Sequence, residues 1–413
     1  MPPRVVLISG NHLCHNPRVA KEATALSAAG FKVDILGAWS VPALKARDQA
    51  MLVDKLYSYT PVLDFAASTP GVALQRTMDR IRRMIARKAL GLLGVERPAL
   101  LGASLPALAR AAASIPANLF IAHSEPALLA ARALGARGRN VGVDMEDWFS
   151  EDLLPKSRSS RPVALLRDAE RDLLRGGVYS TCPSAAMSGA LATEFDCLPP
   201  EVIYNAFPWH ERASLDQALL DRPNRDRPSI HWYSQTLGSG RGLEELLASL
   251  SFIEAPAELY LRGVPAAGFE PWLWERIPPS WRERVVLLPL VQNDSLLSRI
   301  AEHDIGFAGE RTDVRSRDLT VTNKILHYLL GGLAVVASAT SGQREVAHLA
   351  PGAVHLYPAG DVASLAASLN ALLTSRDLLE SSKRAALRAA RETLCWESQE
   401  ERLLARVDRA LAR

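Results

Sequence analysis

The chain is predicted to be an α/β protein of two successive Rossmann-like halves, each a parallel sheet flanked by helices. Three features predict this. The N-terminus runs from a short apolar stretch, Val5–Ser9, through a polar loop and a small-residue helix to a second apolar stretch from Phe31, which is a βαβ opening. The same alternation restarts at Ile230–Ser234, after a stretch over 206–228 rich in Pro, Arg, Asp and Asn that reads as a linker. The length, 413 residues, suits two domains of ordinary size.

In the first half, Val5–Ser9 is the candidate first strand, and Gly10, Asn11 and the residues to His15 form the loop at its end. Asn16 is a good N-cap and Pro17 suits the first helical position. Ala20, Ala23, Leu26 and Ala29 give the helix a small apolar face, and Gly30 ends it. No GxGxxG follows the strand, so this is not a dinucleotide fingerprint. Arg18, at the helix start, can face an acidic ligand, face phosphates, or simply sit on the surface. Asn118–Ala122 is a further strand ending at His123, where open α/β sheets place ligands. The strand from Val141 ends in a dense acidic group, Asp144, Glu146, Asp147, Glu151 and Asp152. Such a group can bind hydroxyls, hold a divalent cation, or be a solvated loop.

The segment from Gly71 to Val95 is an amphipathic helix. Leu74, Met78, Ile81 and Ile85 fall on one face, and Arg76, Arg80, Arg83 and Arg87 fall opposite. The commoner use of such a stripe is packing on the body of a domain. The same pattern can also lie on an anionic membrane.

In the second half, Gln235-Thr-Leu-Gly238-Ser-Gly240-Arg241-Gly242 is a glycine-rich loop whose amides and Arg241 suit an anion. The next strand ends at Arg262, where a nicotinamide site would carry an acid. The stretch Leu319–Glu345 is the most informative. Thr320 or Thr322 can cap a helix start, and Lys324 lies in the first turn. A cation at a positive helix end makes sense when an anion such as a diphosphate lies between them. Gly331-Gly332 ends that helix, and Leu333–Ala337 reads as a buried parallel strand.

Thr322-Asn323-Lys324-Ile325-Leu326-His327-Tyr328, then Gly332, Ala334–Ser338 and Gly342-Gln-Arg-Glu345, resembles the donor-binding segment of family 4 glycosyltransferases of the GT-B fold. The resemblance runs in order along nearly the whole chain. Asn16-Pro17-Arg18-Val19 to Glu22-Ala23 and Leu26 is similar to the family's opening, and Asp144 to Asp147 to its Asp-x-His-Glu segment. Glu170, Ser184 and Val202-Ile-Tyr-Asn205 keep the family's order. Gln235 and Arg241 stand where the family has two cations that clamp the diphosphate. Two departures stand out: His327 replaces the glutamate that grips the ribose, and Leu319 falls where the first acid of the family's pair belongs.

The resemblance implies two Rossmann-like domains facing a central cleft, an acceptor domain over 1–208 and a donor domain over 209–395, with a terminal helix over 396–413 crossing back. It implies transfer of a hexosyl group, with retention, from a nucleotide sugar to a hydroxyl on a glycan, a lipid-linked or a small-molecule acceptor, as in polysaccharide biosynthesis. Arg241 and Lys324 would neutralise the departing diphosphate and His123 would position the sugar. Gly10, Asn11, Arg18, Asp144, Glu146, Asp147, Asn205, Gln235, Gly240, Thr322, Asn323, His327 and Glu345 would bind the substrates. No cofactor beyond the nucleotide-sugar donor, and no metal, is implied. A nucleotide-sugar 2-epimerase on the same fold is the alternative, and a non-catalytic nucleotide-sugar-binding partner in a glycan pathway is another. The net charge of +3 argues against a general nucleic-acid binder. Cys14, Cys182, Cys197 and Cys395 form no CxxC pair, which fits a reducing cytosol. The expected location is cytoplasmic, free or peripheral on the inner face of the membrane through the 71–95 helix.

Overall fold

A computed structural model of the protein describes residues 2–222, 225–240 and 242–412. Arg241, assigned to diphosphate binding, lies outside the described residues. The chain divides into two compact units, Met1–Ile203 with Glu400–Arg413, and Tyr204–Gln399.

The first unit carries seven parallel strands: β1 (Arg4–Ile8), β2 (Lys32–Trp39), β3 (Ser58–Asp64), β4 (Leu119–Ala122), β5 (Val141–Asp144), β6 (Tyr179–Cys182) and β7 (Glu201–Val202). They lie in the order β3-β2-β1-β4-β5-β6-β7. Val5 to Ile8 and Leu119 to Ala122 are wholly buried, because helices cover both sheet faces. That is why these strands read as unbroken apolar runs. The order reverses between β1 and β4, so the loops after these two strands diverge and leave a crevice at their C-terminal ends. Gly10 and Asn11 follow β1, and His123 follows β4.

The second unit repeats the plan with six parallel strands: β8 (Ser229–Leu237), β9 (Glu258–Pro265), β10 (Val285–Leu288), β11 (Ile305–Ala308), β12 (Ala334–Ser338) and β13 (Val354–Tyr357). Their order is β10-β9-β8-β11-β12-β13. Trp232, Trp281, Phe307 and Tyr357 fill its core. Here the reversal lies between β8 and β11. The loops that follow them touch: a Cβ on Gly242, whose φ is +76°, would come within 2.8 Å of the Gly309 backbone. Only glycine fits at that close approach. The last helix, Trp396–Leu411, belongs from Glu400 onward to the first unit. There Arg406 donates to the Val178 carbonyl at 3.0 Å and Arg409 pairs with Glu201 at 2.8 Å.

Several local expectations need correction. The apolar stripe of the Pro70–Leu93 helix is not packed on the body: Leu74, Met78, Ile81 and Ile85 are all exposed. Gln235 lies within β8 rather than in the loop, because a register shift between Tyr233 and Thr236 carries the strand on to Leu237. Beyond β11, Arg315–Leu319 forms a short helix. Among the described residues no helix is long and apolar enough to cross a membrane.

Candidate functional site

The crevice of the first unit is an open cavity of about 780 Å³. Gly10, Asn11, Asn16, His123, Glu146 and Asp147 line it. Five of these carry substrate roles in the sequence reading. Gly10 has φ of +69°, and a Cβ there would meet Leu108 at 2.7 Å, so the loop after β1 requires glycine. Ser124 ties the two switch-point loops together, donating from Oγ to the Ser9 carbonyl at 2.5 Å and capping the helix that starts at Glu125. Asn16 caps the Pro17–Ala28 helix through Val19 N–H and donates from Nδ2 to both oxygens of Glu146, at 2.8 and 3.0 Å.

Beneath this floor lies a buried charge network. Arg18, 2% exposed, donates from Nε to Asp144 at 2.5 Å and from Nη1 to the Ile203 carbonyl at 2.6 Å, with Glu22 at 3.4 Å. The reading of Arg18 and Asp144 as substrate-facing is therefore corrected. Each is buried, and they pair with one another. Burial pushes Asp144 up, but the Arg18 charge, with help from Glu22 and His123, outweighs it and holds the carboxylate below its usual range. Burial and then the Asp144 charge push Glu22 well up. Of the two carboxyls, Glu22 therefore holds a proton more tightly than Asp144. His123, 1% exposed, bridges the two levels: Nδ1 lies 3.1 Å from Glu146 and Nε2 lies 3.4 Å from Glu22. Glu22, His123 and Asp144 are close enough to share an ion. The Arg18 guanidinium already occupies that electrostatic niche and would repel a cation.

The cleft wall depends on Asp48, which the sequence did not single out. It accepts from the Cys14 N–H at 2.7 Å and holds His12 Nδ1 at 2.7 Å, while His12 Nε2 accepts from the Ser40 and Val41 amides. Burial and Asp48 push the Cys14 thiol up to about 12, so it is no nucleophile at neutral pH.

In the second unit, Lys324 sits in the first turn of the Asn323–Gly331 helix, with Nζ 3.0 Å from Glu310 Oε1. Glu310 follows β11 at the switch point and is buried. Its N–H donates to Ser338 Oγ at 2.7 Å, and that hydroxyl donates back to the Glu310 carbonyl at 2.9 Å. Gln343 Nε2 donates to the same Oγ at 3.0 Å. Thr322 is the N-cap residue, yet its hydroxyl makes no cap bond. Its Oγ1 is buried with no hydrogen-bond partner among the described residues. Asn205 donates to Asn323 at 2.9 Å, and the Tyr204 hydroxyl donates to Glu345.

His327 is buried. Its ring stacks on Phe207 with centroids 4.0 Å apart, and Nδ1 meets the Tyr233 hydroxyl at 3.1 Å. The glycine loop also departs from expectation: the Gly240 amide is already taken, donating to Glu244 at 2.6 Å. Glu310, like Asp48, is a residue that the sequence reading missed. Its signal was present, a carboxylate one glycine past the apolar run Ile305–Ala308.

No protein-family model and no curated protein matches the chain in sequence. Solved structures match it over nearly its full length. A sucrose-phosphate synthase from Thermosynechococcus elongatus is 14% identical, with a TM-score of 0.71 and 99% of both chains covered. Anabaena HepE in complex with UDP is 14% identical, with a TM-score of 0.68 over 98% of this chain and 99% of that one. A UDP-forming α,α-trehalose-phosphate synthase from Burkholderia xenovorans is 14% identical, with a TM-score of 0.69 over the same shares. At this identity the likeness defines the fold. Together with the two parallel-sheet units, it establishes the GT-B fold.

Proposed function

We propose that the protein is a retaining glycosyltransferase of the family 4 type, moving a sugar from a nucleotide-sugar donor to a hydroxyl acceptor. The observation that carries this reading is the start of the Asn323–Gly331 helix: Lys324 fixed by Glu310, beside a buried Thr322 hydroxyl without a partner among the described residues. An ammonium has three N–H donors, so with one on Glu310 two remain for phosphate oxygens. The uncapped first-turn amides add to the same anion site. In this role Glu310 orients Lys324 and touches no substrate.

Arg241 and Lys324 would neutralise charge on the departing diphosphate, the largest charge to develop. Gln235, Thr322, Asn323, Asn205, His327 and Glu345 would complete the donor side. Gly10, Asn11, Glu146 and Asp147 would take the acceptor, with His123 oriented by Glu146 toward the sugar. Arg18 and Asp144 would act by holding that floor in place. No protein nucleophile is assigned, so the acceptor proton passes to a donor phosphate oxygen as the glycosidic bond forms on the same face. HepE has been solved with UDP-glucose, which makes UDP-glucose the first donor to try.

The test is a melting-temperature screen with UDP, GDP and their sugars, followed by incubation of the best donor with and without hydroxyl acceptors. A disaccharide or glycoside supports transfer. An epimer formed without acceptor would mark a 2-epimerase. Binding without turnover across acceptors would mark a non-catalytic partner.

A further inference from the structure

The Pro70–Leu93 helix of the first unit is 24 residues and about 36 Å long. It is firmly ended: Thr69 caps it through the Val72 N–H, and Gly94 closes it at φ +66°. It meets the body of its unit through a polar face. Asp79 and Ala86 are its buried residues, and Arg83 pairs with Asp79 at 2.5 Å. The opposite face is apolar and open to solvent. Leu74, Met78, Ile81, Ile85 and Leu92 repeat at steps of three, four and seven and are 57%, 47%, 47%, 50% and 82% exposed. A monomeric soluble surface rarely leaves so long a contiguous apolar stripe uncovered.

The charge on the helix says what would cover it. Between Pro70 and Leu93 the sequence holds six cations, Arg76, Arg80, Arg82, Arg83, Arg87 and Lys88, and one acid, Asp79, which is buried against Arg83. At 100° per residue Arg82 borders the stripe on one side and Lys88 on the other, with Arg80 and Arg87 farther round the exposed surface, and long basic chains so placed can reach from an apolar face to a layer of anionic headgroups. A protein partner of ordinary composition, or a second copy of this helix, would set these arginines against neutral or like charge. We infer that this helix docks the first unit on an anionic phospholipid surface, lying in the interface plane with its stripe among the acyl chains.

The inference is independent of the proposed catalysis, because its readout is partition rather than turnover. The test is co-sedimentation of the full-length protein with vesicles of phosphatidylglycerol and phosphatidylcholine, and with phosphatidylcholine alone. Binding should be strong on the anionic vesicles, weak on the neutral ones, and reduced by added salt. Ile81→Glu with Ile85→Glu should weaken it roughly tenfold or more, since both the apolar insertion and the charge match are lost. These positions are exposed, so the variant's melting temperature should match the parent's. Thr77→Leu, which widens the stripe at another exposed position, should strengthen binding, an outcome misfolding cannot imitate. Failure of the parent protein to sediment with anionic vesicles overturns the inference. So does sedimentation velocity showing a dimer that the Ile81→Glu, Ile85→Glu variant dissolves, because the stripe would then be covered by a second copy.

Discussion

The two switch points are built alike and use charge differently. Each lies where a parallel sheet reverses its strand order, and each gathers a cation and carboxylates. In the first unit Arg18 is closed off, with Asp144, Glu22 and the Ile203 carbonyl around it. In the second, Lys324 has one carboxylate partner among the described residues and sits at a helix start whose amides lack a side-chain cap. The first arrangement closes its cation off; on the proposed reading, the second keeps donor capacity for a ligand. The lesson is that a basic residue at a helix start beside a sheet edge does not by itself mark an anion site. Burial and the number of partners decide which role it has.

The largest effect should come from breaking the closed network. Arg18→Ala would strand Asp144 as an uncompensated buried charge, with an expected loss of about 3–5 kcal/mol. Urea unfolding of the full chain should show the first unit's transition moving to markedly lower denaturant. If the midpoint barely moves, the two switch points do not differ in the way described.

A second buried carboxyl of the first unit gives a pH-dependent contrast. Glu170 accepts from the Ser150 N–H at 2.9 Å and from its hydroxyl at 2.6 Å, and burial still raises it to about 7. A folded value above the unfolded one means the folded state holds the proton more tightly. The stability from this group is therefore complete below about pH 4.5 and is lost as pH rises through 7. Across that window the change should be roughly 3 kcal/mol. Glu170→Gln, which copies the neutral acid, should flatten the dependence of melting temperature on pH between those limits. The same slope in parent and variant would show that the carboxyl stays charged.

The fold was legible because both sheets are covered on each face, so their strands are apolar runs bounded by polar loops. Val5–Ser9, Asn118–Ala122 and Leu333–Ala337 could be located without any structure. What the sequence hid were facts of burial and pairing. Arg18 looks the same in sequence whether it faces solvent or Asp144, 126 residues away. The Asp48 hold on His12 crosses 36 residues and leaves no periodic trace. The 71–95 helix misled for a related reason. Its period shows that one face is apolar, but not which face meets the body, and there the Asp79–Arg83 pair and Ala86 take the inner side. The place of Lys324 in a helix's first turn was legible from the residues around it, and a lysine there runs against the local dipole, which is why it is proposed for an anion.

On the ligand side the expected effect is intermediate. Lys324→Ala should weaken binding of the tightest nucleoside diphosphate by about 1.5–3 kcal/mol, the range for a charge-assisted bond. Glu310→Gln should weaken it less, because the ammonium stays but loses its anchor. Calorimetric titration of both variants ranks them. Equal affinities in parent and Lys324→Ala would remove the second switch point from the donor site and leave the two crevices indistinguishable in role.

The smallest effects sharpen the contrast at two helix starts. Ser124 spends its hydroxyl on structure, capping the Glu125–Gly135 helix and bonding Ser9. Ser124→Ala should therefore lower stability by about 1 kcal/mol, the usual worth of a cap. Thr322 occupies the same position on the Asn323–Gly331 helix, but its buried hydroxyl caps nothing. Thr322→Ala should leave stability within about 0.5 kcal/mol of the parent and should instead reduce nucleoside-diphosphate affinity by about 1 kcal/mol, the net worth of one hydrogen bond. Melting curves of both variants, with and without the nucleotide, separate the two cases. A Thr322→Ala protein that melts early and binds normally would mean that this hydroxyl is structural after all, and that the second switch point resembles the first.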